Sequence, residues 1–115
     1  MTHPATHIWY DGQLVPAGEQ SCSLLEHGLH YGTGAFEGIR CYETPSGPAI
    51  FRLHDHLERL EAGAAALGMS IDRESLAAAA VEVVRANDHR SAYIRPIVFY
   101  GAGSLGLDVG EQLVK

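Results

Sequence analysis

Tyr93 and Arg95 stand two apart in the stretch SAYIRP, so on a strand both side chains point to one face. An arginine among aromatic and β-branched neighbours is an awkward charge unless an anion meets it, and its planar fork suits a carboxylate. The simpler alternative is an edge arginine paired with one of the chain's 14 acidic residues. Arg59, in HDHLERL, poses the same choice on a helix. A guanidinium close to a helix start can read a phosphate, but spacing alone favours an ordinary i,i+4 surface pair with Asp55. A third stretch, HGLHYGTGAFEGIRCYE (residues 27–43), is too rich in glycine for a helix. In it Phe36 and Arg40 flank Gly38, whose missing side chain leaves room for something to lie flat against the strand.

Other chemistries find less support. Gly32 and Gly34 form a G-x-G without the third glycine before a helix, and no GK[ST] follows, so no phosphate-cradling loop is read there. His27 with His30, and His54 with His56, raise a metal question, but no cysteine or acid at ligand spacing completes a set, and no metal is assigned. The serines lack a G-x-S-x-G setting, and no residue is assigned a catalytic role. Lys115 is the single lysine, so nothing before it can supply a buried amine.

The totals describe an ordinary globular domain: 46% hydrophobic and 19% charged residues, within 115 in all, enough for one modest core. A net charge of −6 argues against a nucleic-acid or acidic-membrane surface. The longest apolar run, SLAAAAVEVV, is too short to span a bilayer, and MTHPATHIWY has no secretion-signal pattern. Cys22 and Cys41 lack CxxC spacing and fit buried or idle thiols in a reducing cytoplasm.

The elements that must position these residues follow from pattern. HIWYDGQLVP predicts a hairpin turning at Asp11-Gly12. Residues 17–33 read as loop with at most a helical turn. GAFEGIRCYE alternates as one strand, with Phe36, Gly38, Arg40 and Tyr42 on one face and Ala35, Glu37, Ile39 and Cys41 on the other. TPSGP turns it into a second strand, AIFRL. From about Asp55, Leu57, Leu60, Ala64 and Leu67 mark a helix that Gly68 ends. A second helix is capped by Asp72, carries Leu76, Ala80, Val83 and Val84 as its stripe, and ends near Asn87. SAYIRPIVFYG predicts another strand, with Pro96 at an edge or where a missing N–H does no harm. After Gly101 the sequence reads as loop, and EQLVK could open a further strand. The order predicts an α+β domain, a mainly antiparallel sheet with two helices on one face.

Taken together, HGLHYGTGAFEGIRCYE, FRLHDHLERL and SAYIRPIVF, in this order and at these distances, resemble the N-terminal small domain of branched-chain amino acid aminotransferases, pyridoxal-phosphate enzymes of fold type IV. The similarity runs from the IWYDGQLVP hairpin to the glycine loop after Tyr100. It implies that Arg59 holds the cofactor phosphate, displacing the surface-pair reading. It implies that Tyr93 and Arg95 recognise the substrate carboxylate side, with Arg95 taking the distal carboxylate of glutamate. Tyr31, Phe36 and Gly38 match residues lining the side-chain pocket, with Arg40 beside them. Leu107 matches a pocket position contributed, like Tyr31, across the interface of a dimer.

The same resemblance puts the lysine that carries the coenzyme as a Schiff base, and the acid at its pyridine nitrogen, in a larger C-terminal domain. Residues 1–115 are therefore expected to be the small domain of a cytoplasmic, homo-oligomeric enzyme, truncated before that lysine and inactive alone. D-amino acid aminotransferase and aminodeoxychorismate lyase share the fold and are sibling readings; FEGIRCYE and YIRP favour the branched-chain type. A small binding module that keeps the fold without the chemistry is the rival of another class.

Overall fold

The structure, a computed structural model, describes residues 5–102. It opens with the expected hairpin, β1 (His7–Tyr10) antiparallel to β2 (Gln13–Pro16). Asp11 at φ 50° and Gly12 at φ 95° make the turn, both in the left-handed region that a tight two-residue connection requires. A 3-10 turn (Ala17–Glu19) and a short helix α1 (His27–Tyr31) occupy the segment read as loop with a helical turn.

The glycine-rich stretch and the SAYIRP stretch pair with each other. β3 (Gly34–Phe36) runs antiparallel to β7 (Ile97–Phe99), and β4 (Ile39–Thr44) to β6 (Ala92–Ile94). The expected single strands are thus each divided in two, and the expected single sheet becomes three among the described residues: β1-β2, β3-β7 and β5-β4-β6. The reason is Pro96. Gly34↔Phe99 and Cys41↔Ala92 belong to one unbroken register, in which Glu37 falls opposite Pro96. The Glu37 N–H donates to the Pro96 carbonyl at 3.1 Å, but proline has no N–H to return, and the ladder lapses at that point. Alternation survives the break: Glu37, Ile39 and Cys41 are buried while Phe36, Arg40 and Tyr42 are exposed.

β5 (Gly47–Ile50) pairs with β4 but is shorter than AIFRL. Arg52 adopts φ 54° at the cap of α2 (Leu53–Ala66), so the helix starts two residues before Asp55. Its buried face is Leu57, Leu60 and Ala64, and Gly68 follows at φ 83°. α3 (Arg73–Ala86) is capped as expected: the Asp72 side chain accepts from the Glu74 and Ser75 N–H groups. Its buried stripe is Ala79, Ala80 and Val84, with Leu76 and Val83 half-buried. Ile39, Leu57, Leu60, Ala64, Met69, Val98 and Tyr100 form the core, so α2 closes the back of the broken ladder and leaves its front free.

Asn87 joins the hairpin to this body. Its Oδ1 accepts from the Thr6 and His7 backbone N–H groups at 2.7 and 3.0 Å, and its Nδ2 donates to the His7 and Val83 carbonyls at 2.9 and 2.7 Å. Replacing Asn87 with alanine leaves the part-buried His7 backbone groups without these partners, while Val83 keeps the backbone N–H of residue 87, and is expected to lower unfolding stability by about 1–3 kcal/mol. Urea denaturation checks this; an unchanged midpoint would show that the latch is idle.

Candidate functional site

On the front of the ladder Phe36, Gly38, Arg40, Tyr93 and Arg95 come together. Arg40 is the cross-strand partner of Tyr93. The Tyr93 phenol swings over Gly38, where an added Cβ would lie 2.3 Å from its oxygen. Arg95 Nη2 donates to that oxygen at 2.7 Å, and its guanidinium carbon sits 4.4 Å from the centre of the Phe36 ring. The Arg40 guanidinium carbon stands 6.0 Å from the Tyr93 ring. Glycine at 38 thus makes the space in which tyrosine and arginine bond to each other. Among the described residues neither Arg40 nor Arg95 forms an ion pair, so the edge-pair alternative for Arg95 fails there. Two guanidinium groups without a carboxylate, beside exposed Phe36, Tyr93 and Ile97, make a positive patch with apolar rims. Such a surface can take a carboxylate that carries an apolar body.

On the back of the same strand lies Glu37, only 4% exposed. Its carboxylate accepts from Arg59 Nε, and from Arg59 Nη2 at 2.8 Å, while His56 Nδ1 lies 3.2 Å from Oε2. Bonding to the Arg59 guanidinium holds the Glu37 carboxyl down at about 2, against the opposing effect of burial, with His56 adding to the lowering. The same contact raises the pKa of Arg59. Arg59 is therefore not paired with Asp55, whose carboxylate goes to Arg52 at 2.8 Å. A charge-assisted bond to a buried acid outcompetes an exposed pair on one helix. Sequence reasoning missed Glu37 and His56. The available signal was an acid on the apolar face of a strand, which demands a partner.

Other expected residues lie elsewhere. Tyr31 stacks on His27, ring centres 4.5 Å apart, at the N-terminal side of β3. Leu107 lies outside the described residues, as do the glycine loop and EQLVK. His27 is buried against Thr33 Oγ1 at 2.8 Å, and His30 Nε2 donates to the Leu24 carbonyl at 2.6 Å. No group of three or more metal-binding side chains gathers among the described residues. Cys22 is exposed; Cys41 is buried, and burial pushes its thiol pKa up. A separate cleft of about 840 Å³, lined in part by Ile50, Arg52, Val84, Arg85 and His89, contains none of the residues singled out for the site. Arg52 in that cleft is paired only with exposed Asp55, whereas Arg59 behind the ladder is held by buried Glu37 and Arg95 on its front is bonded to Tyr93, and the ladder is the better-built site.

Comparison with known proteins identifies the family and the fold. Residues 34–113 match the family model for amino-transferase class IV. A branched-chain-amino-acid aminotransferase of Pseudomonas aeruginosa is 49% identical over 102 residues, covering 87% of this chain and 33% of that protein. One from Escherichia coli K12 is 38% identical over 109 residues, covering 93% and 35%. The chain thus spans about a third of the length of the curated relatives it matches. Among solved structures, the T.th. branched-chain amino acid aminotransferase complexed with N-(5'-phosphopyridoxyl)-L-glutamate superposes with a TM-score of 0.89 at 47% identity. That match covers 98% of this chain and 40% of the other. The Escherichia coli branched-chain enzyme superposes at 0.88 with 38% identity, covering 91% and 35%. The α+β domain is that of fold type IV, and the chain belongs to the class IV aminotransferases.

Proposed function

We propose that residues 1–115 form the small, anion-gripping domain of a pyridoxal-phosphate-dependent branched-chain amino acid aminotransferase, moving an amino group between Leu, Ile or Val and 2-oxoglutarate. The observation that carries this is Arg95. It is a guanidinium laid on the Phe36 ring and bonded to the Tyr93 phenol, without an ion pair among the described residues. In this reading Arg95 and Tyr93 orient the substrate carboxylate, including the distal one of glutamate. Phe36 and the bare wall at Gly38 accept a branched side chain, and Arg40 adds positive potential. Tyr31 and Leu107 complete the pocket from the neighbouring subunit of a homo-oligomer. Exposed Leu24, Leu25 and Leu29 beside Tyr31 support such an interface.

The donor set fits the cofactor's phosphate. Glu37 uses one edge of the Arg59 guanidinium, and the side chain, 74% exposed, offers its remaining N–H groups outward. When bound, pyridoxal phosphate supplies the electron sink that lets the substrate lose its α-proton. In this reading the amine that carries it comes from the larger C-terminal domain that the resemblance implies; Lys115 is the single lysine of residues 1–115. The enzyme is read as cytoplasmic; no helix among the described residues is long and apolar enough to cross a membrane.

A chimera tests the proposal. This chain replaces the first third of the Pseudomonas aeruginosa relative, and the product is assayed with leucine and 2-oxoglutarate. Turnover that Arg95→Ala abolishes is expected; a folded chimera without turnover would refute the proposal.

A further inference from the structure

Glu37 is a buried carboxylate that the reading above leaves without a task. It sits between Phe36 and Gly38 in sequence, yet points to the opposite side of the strand, into the back of the ladder. There it takes Arg59 Nε on one oxygen and Arg59 Nη2 on the other. His56, three residues earlier on α2, lies 3.2 Å from the second oxygen. A guanidinium has two edges able to grip an oxyanion: the side-on edge of Nε and Nη2, and the end-on edge of the two terminal nitrogens. Glu37 consumes the first. On the second, Nη2 keeps one N–H beyond its bond to Glu37, and Nη1 has no hydrogen-bond partner among the described residues, on a side chain that is 74% exposed.

We propose that Glu37 is a positioning residue for Arg59. It clamps the side-on edge so that the end-on edge faces outward as a preformed fork for a phosphate monoester. An exposed arginine otherwise spreads over many rotamers and must lose that freedom when it binds. Because Glu37 stands directly between Phe36 and Gly38, in the break that joins β3 to β4, it ties the phosphate fork to the carboxylate wall. The inference rests on the phosphate reading of Arg59, and the experiment separates the two.

A carboxylate next to a phosphate site has an opposing effect, since its negative charge repels the ligand. Positioning and charge therefore predict opposite signs for Glu37→Gln. The probe is pyridoxine 5'-phosphate, with pyridoxine as the phosphate-free control, followed by NMR on arginine-labelled chain. For the wild type, a slowly exchanging Arg59 Hε is expected, and its exchange should quicken at least about tenfold in Glu37→Gln. Affinity for the ester should fall about 3- to 10-fold in Glu37→Gln despite the loss of a repelling negative charge. Glu37→Asp keeps the charge and loses reach, so it should weaken binding as well, and it serves if the glutamine variant does not fold. Ester binding that is equal or tighter in Glu37→Gln, while Arg59→Ala has lost it, overturns positioning and leaves the phosphate reading intact. Binding that Arg59→Ala does not change, or no binding by the wild type, overturns the phosphate reading and this proposal with it. An unprotected Arg59 Hε in the wild type overturns the positioning role alone.

Discussion

Gly38→Ala is expected to raise the KM for glutamate and 2-oxoglutarate by about 10- to 100-fold, the worth of one hydrogen bond to a charged group, while leaving stability nearly unchanged. The added methyl would lie 2.3 Å from the Tyr93 oxygen and 2.9 Å from the ring carbon that bears it, so the phenol must move. Moving it is cheap for folding, because Tyr93 is 50% exposed and its end is free to swing. Gly38 is not in the left-handed region, so alanine also meets no backbone strain. The loss falls on the bond from Arg95 to Tyr93, which the displaced phenol can no longer make at 2.7 Å. Arg95 then keeps its ring contact with Phe36 but not its orientation. Kinetics of the chimera, set beside its melting temperature, check this. A melting point lowered by many degrees with KM intact would mean that the glycine serves packing and not the site.

The second large effect concerns acid. Glu37 titrates at about 2 in the folded chain, below its ordinary value of 4.5. A depressed carboxyl favours the folded state above its unfolded pKa. That contribution is lost as pH falls from 4.5 toward 2. Because water surrounds the Arg59 end of the pair, the expected loss is roughly 1–2 kcal/mol rather than what the whole shift implies. Urea unfolding at pH 7, 4 and 2.5 should show the wild type losing more stability than Glu37→Gln, with most of the divergence below pH 4.5. Parallel curves for the two proteins would rule out the buried pair as the source of acid sensitivity.

How much of this was legible in the sequence depends on range. Local signals read correctly: Asp11-Gly12 as the hairpin turn, Asp72 as a cap, and Leu57, Leu60 and Ala64 as a buried face. Strand alternation placed Phe36, Gly38 and Arg40 on one side, and Tyr93 with Arg95 on one side. The structure then joins those two faces. What was not legible came from contacts far apart in the chain. Arg59 had Asp55 four residues away, and spacing cannot show that Glu37, 22 residues away, offers a drier and stronger partner. Pro96 was read as sitting at an edge or where a missing N–H does no harm, and among the described residues β6 and β7 are edge strands. That it would split two strands at once depended on its falling opposite Glu37, which only the register reveals. The start of α2 was missed because Arg52 turns the chain at φ 54°, a conformation its residue type does not announce.

The central claim is that two arginines on either side of the Glu37–Gly38 segment hold the two anionic ends of one coenzyme–substrate adduct. Titration of the arginine-labelled chain with N-(5'-phosphopyridoxyl)-L-glutamate tests it most directly. Arg59 and Arg95 side-chain signals should shift together with one binding constant, and Arg59→Ala and Arg95→Ala should each weaken that constant. Shifts at Arg52 and Arg85 in the separate cleft, with Arg59 and Arg95 unmoved, would contradict it.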